Sequence, residues 1–212
     1  MLAANAASSA FLIMEESPTP AGTDGSAEDF ALMERIGQGD HHAFRTLVER
    51  YQDPVVGTVA KMLGNASDAE DIAQQVFLRI WRNAKRYRPE AKFTTYLFTI
   101  VRNLVFNETR RRGRKKEVSV EEREEQSHHQ IEDRADLRPD SELLHDELRA
   151  AVDAAIEALP EAQRTAVVLR RYEQLPYEEI AVVLNTSVPA VKSLLFRART
   201  SLRDALEDYL SD

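Results

Sequence analysis

The sequence predicts an all-α protein built as two small helical domains joined by a flexible linker. Three observations carry this reading. Apolar residues recur at three- and four-residue spacing through both halves, as an amphipathic helix requires. Strand-like alternation of useful length is missing, and no solenoid-type repeat occurs. Between the two patterned halves lies a charged stretch poor in apolar residues, the composition of a solvated connector. The expected boundaries are a disordered or over-annotated leader at 1–26, a first domain at 27–112, an acidic linker at 113–140 and a second domain at 141–212.

The leader is rich in Ala, Ser, Thr, Pro and Gly and has no sustained period. Helical patterning starts near Ala27, with Ala31, Leu32 and Ile36, then Phe44, Leu47, Val48 and Tyr51. Gly37-Gln38-Gly39 interrupts the run, and Asp40 stands where it can cap the next helix. Pro54 sits early in a further helical stretch with a stripe of Val55, Val56, Val59, Ala60 and Leu63, ended by Gly64-Asn65. A third helix opens at Ser67 or Asp68 with acids in its first turn and runs through Ile72, Val76, Phe77, Ile80 and Trp81. Arg86 to Lys92 reads as a loop around Pro89, followed by a long aromatic-rich helix from Phe93 to about Arg112. After the linker, Leu143, Leu144, Leu148, Val152, Ile156 and Leu159 mark one helix that Pro160 stops, and Ala162 to Arg171 marks the next.

At 212 residues and a net charge of -8, the chain looks poorly suited to nucleic acid until its charges are placed. From Arg79 to Lys116, thirteen Lys/Arg stand against two acids, a local balance of +11. From Glu117 to Glu157, fourteen acids face four Arg, a balance of -10, before the C-terminal helix turns basic again. Two phosphate-facing surfaces separated by a segment that phosphate repels is the arrangement this implies. No cysteine occurs, which removes disulfides, thiolate metal sites and cysteine nucleophiles and points to the cytoplasm. The apolar stretches are too short to span a bilayer, and Met1 to Met14 has no basic residue before Phe11-Leu12-Ile13-Met14, so no signal peptide or membrane insertion is expected. Domains this small bury modest cores, so each half is expected to lean on a partner.

Three constellations stand out. Leu175 to Arg199 fits a helix-turn-helix: Ile180 and Leu184 give the first helix its apolar face, Ala181 is small where the helices cross, and Asn185-Thr186-Ser187 makes the turn. Ser187 can cap the second helix, Pro189 is tolerated in its first turn, and Val191, Leu195, Ala198 and Leu202 point inward. The remaining face carries Ala190, Lys192, Ser193, Phe196, Arg197 and Arg199, which suits a helix in the major groove, the competing possibility being a plain hairpin with a solvated basic face. In the second constellation, Phe93-Thr94-Thr95-Tyr96-Leu97-Phe98 with Tyr87, Trp81 and Asn103 interleaves rings with Lys and Arg, as a single-strand surface needs. Each ring taken singly is also a core candidate, Trp81, Phe77 and Phe98 foremost, and Asn103 fits a base edge or a neighbouring carbonyl equally. The third, Asp68 to Trp81, is acidic and amide-rich on one side, which helix-dipole chemistry alone explains.

Together these motifs resemble the sigma factors of bacterial RNA polymerase. Phe44 to Tyr51, Asp68 to Phe77, Tyr87 to Phe98 and Arg102-Asn103 are similar to the family's second region, and residues 159 to 206 to its fourth. The two regions follow in order with only a short linker and no third domain between them, which resembles the extracytoplasmic-function (ECF) group. The resemblance implies a sigma region 2 helical bundle at 27–112 and a region 4 helix-turn-helix domain at 141–212. It implies that Asp68, Asp71, Gln74 and Gln75 dock on core RNA polymerase. Arg88, Lys92, Phe93, Tyr96, Asn103, Arg110 and Arg111 would serve the minus-ten promoter element, the loop Arg88 to Phe93 capturing a flipped base. Ala190, Lys192, Ser193, Phe196, Arg197 and Arg199 would read the minus-thirty-five element, while the linker threads toward the polymerase's RNA path. Partners implied are core polymerase, promoter DNA and an anti-sigma factor, with a stress or envelope-response regulon, and with no cofactor, metal or small-molecule substrate. Two positions depart from the family pattern: Tyr96 stands where Trp is usual, and Leu194 replaces a commonly basic residue of the recognition helix.

Two rival classes are weighed against this. A free-standing helix-turn-helix regulator needs a strand-containing receiver or ligand domain, which 27–112 does not offer. An enzyme with His41-His42 or His128-His129 as metal ligands lacks a second cluster to complete a site, so no enzymatic activity is expected.

Overall fold

The computed structural model describes residues 24–64, 67–119 and 140–207, and among them every regular element is helical. The first domain comprises α1 (Asp24–Gly37), α2 (His41–Leu63), α3 (Ala69–Asn83), a short 3-10 turn (Ala84–Arg86) and α4 (Phe93–Ser119). The second comprises α5 (Asp140–Glu157), α6 (Glu161–Arg171), α7 (Tyr177–Leu184) and α8 (Val188–Ala205). Most of the leader and of the expected linker, with His128-His129, lies outside the described residues. Where the linker is described, 113–119 continue α4, which runs to Ser119 instead of ending near Arg112, and Asp140 already belongs to α5.

Local chemistry sets the helix ends. Gly39 takes a φ of 92° in the turn after α1, and the Asp40 carboxylate accepts the backbone N–H of His42 at 2.8 Å and of Ala43 at 3.0 Å. Arg35 reaches the same carboxylate at 2.6 Å, so one acid closes the turn from both sides. The expected break before Pro54 is corrected: α2 is one helix through it. Proline removes one backbone bond there, and because Pro54 is exposed, water can serve the freed carbonyl. Gly64 ends α2 in the left-handed region (φ 66°) while donating to the Ala60 carbonyl. A Cβ at Gly64 would come within 2.6 Å of Glu157, so α5 approaches closely here.

The first core is built from Met33 and Ile36 of α1, Leu47, Val55 and Val59 of α2, Ile72, Val76 and Ile80 of α3, and Phe93, Leu97 and Val101 of α4, all nearly or fully buried. Asp29, only 2% exposed, ties α1 to α2 by accepting the Tyr51 hydroxyl and Arg50 Nη1 at 2.8 Å. The second core gathers Ala166 to Leu169 of α6, Ile180 and Val183 of α7, and Val191, Leu195 and Ala198 of α8. The two domains do not stand apart: α7 packs on α4, and α5 and α6 pack on α2. Each small domain thus finds the partner its modest core needs in the other.

Candidate nucleic-acid interface

In the second domain the helix-turn-helix forms as its residues dictate. Asn185 adopts the left-handed region (φ 52°, ψ 53°) that asparagine tolerates, its N–H returning to α7. The Ser187 hydroxyl accepts the Ala190 N–H at 3.4 Å, a long capping bond, and Pro189 occupies the first turn. Val191, Leu195, Ala198 and Leu202 are buried, and Ala181 is buried where the helices meet. Lys192, Ser193, Phe196 and Arg197 consequently face outward. Phe196 is 70% exposed, a large apolar ring held in water on an otherwise polar face. Ala190 and Arg199 are half-buried at the margins of that face. Leu194 does not join it. It lines a cavity of about 310 Å³ between the domains with Met62, Arg102, Val105 and Phe106, so in this conformation its departure from a basic residue concerns the domain seam.

The first domain's aromatic cluster is arranged differently. Phe93 is 1% exposed, with ring centroids 5.2 Å from Tyr51 and 6.2 Å from Tyr96; as a stacking surface for a base it is corrected to core, because the first turn of α4 points it beneath the loop. Phe77 and Phe98 are core, while Trp81 is half-buried against His41 (4.8 Å, stacked) and Phe44 (5.1 Å). His41 thus serves as an aromatic neighbour. Tyr87 and Tyr96 are half-buried, 4.9 Å apart, and burial pushes the Tyr87 hydroxyl up to about 12. Beside them, Phe30, Met33, Tyr87, Arg88 and Pro89 line an open groove of about 740 Å³. Arg88 and Lys92 are exposed on the loop. Asn103 is half-buried and accepts Arg102 Nη1 at 2.9 Å, a partner that neither sequence reading of this residue considered. Along α4, Arg110 lies over the Phe106 ring at 5.6 Å, and Arg111 pairs with Glu108 at 2.8 Å.

On α3, Asp71, Gln74 and Gln75 are exposed together. Asp68 is not free for the same role, since Arg112 pairs with it and with Glu108, tying the start of α3 to α4. An exposed apolar residue that sequence reasoning did not single out is Leu78, 49% exposed, one turn beyond Gln74 and Gln75 on the same stripe. Its spacing at i+3 and i+4 from those amides was the available signal.

The seam between the domains has its own chemistry. Thr95 Oγ1 donates to Glu179 Oε2 at 3.0 Å and Lys92 Nζ pairs with Glu179 Oε1 at 2.8 Å. Thr58 donates to Glu173, Lys61 pairs with Asp153 at 3.2 Å, and Arg102 Nη2 approaches the Leu184 carbonyl at 3.4 Å. Burial raises the Glu173 carboxyl, an effect the Thr58 bond partly offsets.

Comparison with known proteins agrees with this architecture. Residues 47–115 match the Sigma-70 region 2 model and residues 149–202 a Sigma-70 region 4 model. The chain is 35% identical over 189 residues to the RNA polymerase sigma-H factor of Pseudomonas aeruginosa, covering 87% of this chain and 97% of that one. It is 33% identical over 186 residues to the ECF RNA polymerase sigma-E factor of Escherichia coli K12, covering 86% and 96%. A solved structure of CnrH in complex with the cytosolic domain of CnrY is 25% identical with a TM-score of 0.61, covering 85% of this chain and 98% of that one. A structure of the sigma factor RpoE with the anti-sigma factor NepR from Bartonella quintana, 22% identical, shares the fold with a TM-score of 0.60, covering 77% and 96%. With both regions matched in order and these relatives spanned almost end to end, the chain belongs to the ECF group of the sigma-70 family of RNA polymerase sigma factors.

Proposed function

We propose that this chain directs core RNA polymerase to a set of promoters by reading the minus-thirty-five element with α8 and holding the melted minus-ten element on the loop and first turns of α4. The observation that carries this is the outward face of α8, where Lys192, Ser193, Phe196 and Arg197 stand clear of the core in a helix-turn-helix. Lys and Arg donate to guanine edges or phosphates, Ser to either, and an exposed Phe meets a thymine methyl. Ala190 and Arg199 flank that contact. For the minus-ten element, Arg88, Lys92 and Tyr96 supply cations and a ring, and Arg110 and Arg111 extend the cationic row, while Phe93 supports the loop from beneath. Asn103 reaches a base after Arg102 releases it. Asp71, Gln74 and Gln75 form a polymerase-docking stripe, with Leu78 as its apolar anchor.

The protein performs no covalent chemistry in this reading and works in the cytoplasm, where polymerase and promoter are. No single helix among the described residues is long and apolar enough to cross a membrane. An anti-sigma factor that covers both domains is the regulator this family membership suggests. Run-off transcription with core polymerase on a library of randomised promoters tests the reading. Paired upstream and downstream motifs at fixed spacing are expected. Arg197→Ala should weaken upstream selection by about 1–3 kcal/mol without touching the downstream motif. Transcripts no more numerous than with core polymerase alone would overturn the proposal.

A further inference from the structure

The connection between α6 and α7 is locked at its far end. Gln174 takes a left-handed φ of 54°, and the Leu175 N–H returns to the Leu169 carbonyl at 3.1 Å while the Leu175 side chain is buried. Arg170 Nη1 then donates to the Leu175 carbonyl, also at 3.1 Å. Two residues on, Tyr177 opens α7 directly after Pro176, whose own ring restricts the chain's entry to the helix. The Tyr177 side chain is half-buried and packs against the second core. It is a flat ring with few ways to turn, mounted on backbone that is itself tied down.

Two cations share that ring. Arg170 Cζ lies 5.1 Å from its centroid and Lys192 Nζ 5.8 Å, both within the reach of a cation–ring attraction. Arg170 is held by the Leu175 carbonyl, whereas Lys192 stands on the outward face of α8. A chain of contacts therefore runs from the locked connection through Arg170 and Tyr177 to one residue of that face. Lysine left to itself chooses poorly, because a hydrated point charge on a flexible four-carbon stem reaches phosphate and base edge alike. An ammonium kept beside Tyr177 samples a smaller region, and a donor at a fixed place discriminates among base edges.

We propose that Tyr177 is a specificity-determining positioning residue: its ring holds the Lys192 ammonium at one place on the α8 face, so that Lys192 selects one base pair of the upstream promoter element instead of adding unselective affinity through phosphate. This rests on the assignment of α8 to the minus-thirty-five element. The role belongs to the ring and not to the hydroxyl, since it is the negative ring face that draws a cation.

The test uses the full chain with core polymerase on promoters randomised across the upstream element, with transcripts sequenced. Tyr177→Leu keeps apolar bulk and removes the ring. It is expected to relax selection at a single position by about two- to five-fold, the factor that a solvated cation–ring contact gives. Lys192→Met should relax that same position, and the double variant should be no more relaxed than Lys192→Met alone. Tyr177→Phe keeps the ring and should select as the unaltered chain does. Three results overturn the proposal: relaxation spread evenly over the element, which marks a packing role; Tyr177→Phe behaving as Tyr177→Leu, which marks a hydroxyl contact to DNA; or Tyr177→Leu and Lys192→Met relaxing different positions. Should Tyr177→Leu fold poorly, NMR of the unaltered chain decides. The Lys192 ε-methylene protons, identified by their loss in Lys192→Met, are expected upfield of those of the exposed Lys85, and equal shifts overturn the proposal. An upstream motif unchanged by Tyr177→Leu refutes the positioning alone, whereas an unaltered chain that yields no motif with core polymerase refutes the sigma-factor reading and this inference with it.

Discussion

The two surfaces proposed to face DNA are held in opposite states. On α8 Lys192, Ser193, Phe196 and Arg197 face outward from the second core and Phe196 stands 70% exposed, while at the start of α4 Phe93 is buried, Lys92 and Thr95 are bound to Glu179, and Asn103 is bound to Arg102. A helix that enters a groove as a rigid body can keep its outward face exposed, since duplex DNA presents its edges already formed. A surface for unpaired bases has rings and cations that also serve as good internal packing and good ion-pair partners. The difference teaches that the same residue types stand exposed on one element and engaged within the protein on the other, according to what packs beside them.

The comparison breaks most sharply if one domain is loosened alone. Leu195→Ala removes a nearly buried side chain from the small second core and should cost about 2–5 kcal/mol, with the second domain melting first by circular dichroism. Trp81, the sole tryptophan, sits in the first domain, so its fluorescence should report a later transition; a single shared transition would mean the seam couples the domains completely.

The first domain is tested at Asp29. Asp29→Ala leaves the Tyr51 hydroxyl without its acceptor and should cost about 1–3 kcal/mol, read from Trp81 fluorescence in urea. The same group has a pH signature. Burial raises the Asp29 carboxyl despite the Tyr51 and Arg50 bonds, so the folded state retains this proton to higher pH than the unfolded chain. Its contribution to stability therefore falls as pH rises from the ordinary carboxylate value through the raised one, and Asp29→Asn should flatten that stretch of the stability profile.

The helix caps give the smallest effects and the finest contrast. Ser187→Ala should cost the second domain about 0.5–2 kcal/mol, toward the lower end because the capping bond is long, and independently of pH. The Asp40 carboxyl is held below its ordinary value, first by the Ala43 N–H and then by Arg35, so its cap is fully formed above the unfolded value and is lost as pH falls through the folded one. Hydrogen exchange should show the amides of His42 and Ala43 losing protection in acid, and the Ala190 amide should not follow them.

By itself the sequence determined the helices and which face of α8 turns outward. The apolar spacing of Val191, Leu195, Ala198 and Leu202 leaves Lys192, Ser193, Phe196 and Arg197 only one side to occupy; Asp40, Gly64 and Ser187 mark helix ends through bonds made within a few residues, and Pro160 through the N–H it lacks. These are local consequences of helical geometry, legible wherever period and cap agree. Pro54 was misleading for the complementary reason, since one lost backbone bond at an exposed position does not by itself end a helix whose apolar stripe is buried on both sides of it. The tertiary structure decided which rings are core and which cations are engaged. Phe93 and Tyr96 differ by three residues on one helix, yet one is buried and the other half-exposed, and nothing local to Lys92 or Thr95 names Glu179, 84 residues from Thr95 along the chain, as their partner. Contacts between domains depend on surfaces that only folding assembles, so Leu194 reads as a departure in a recognition helix when taken in sequence and as a wall of the domain seam once α8 is packed.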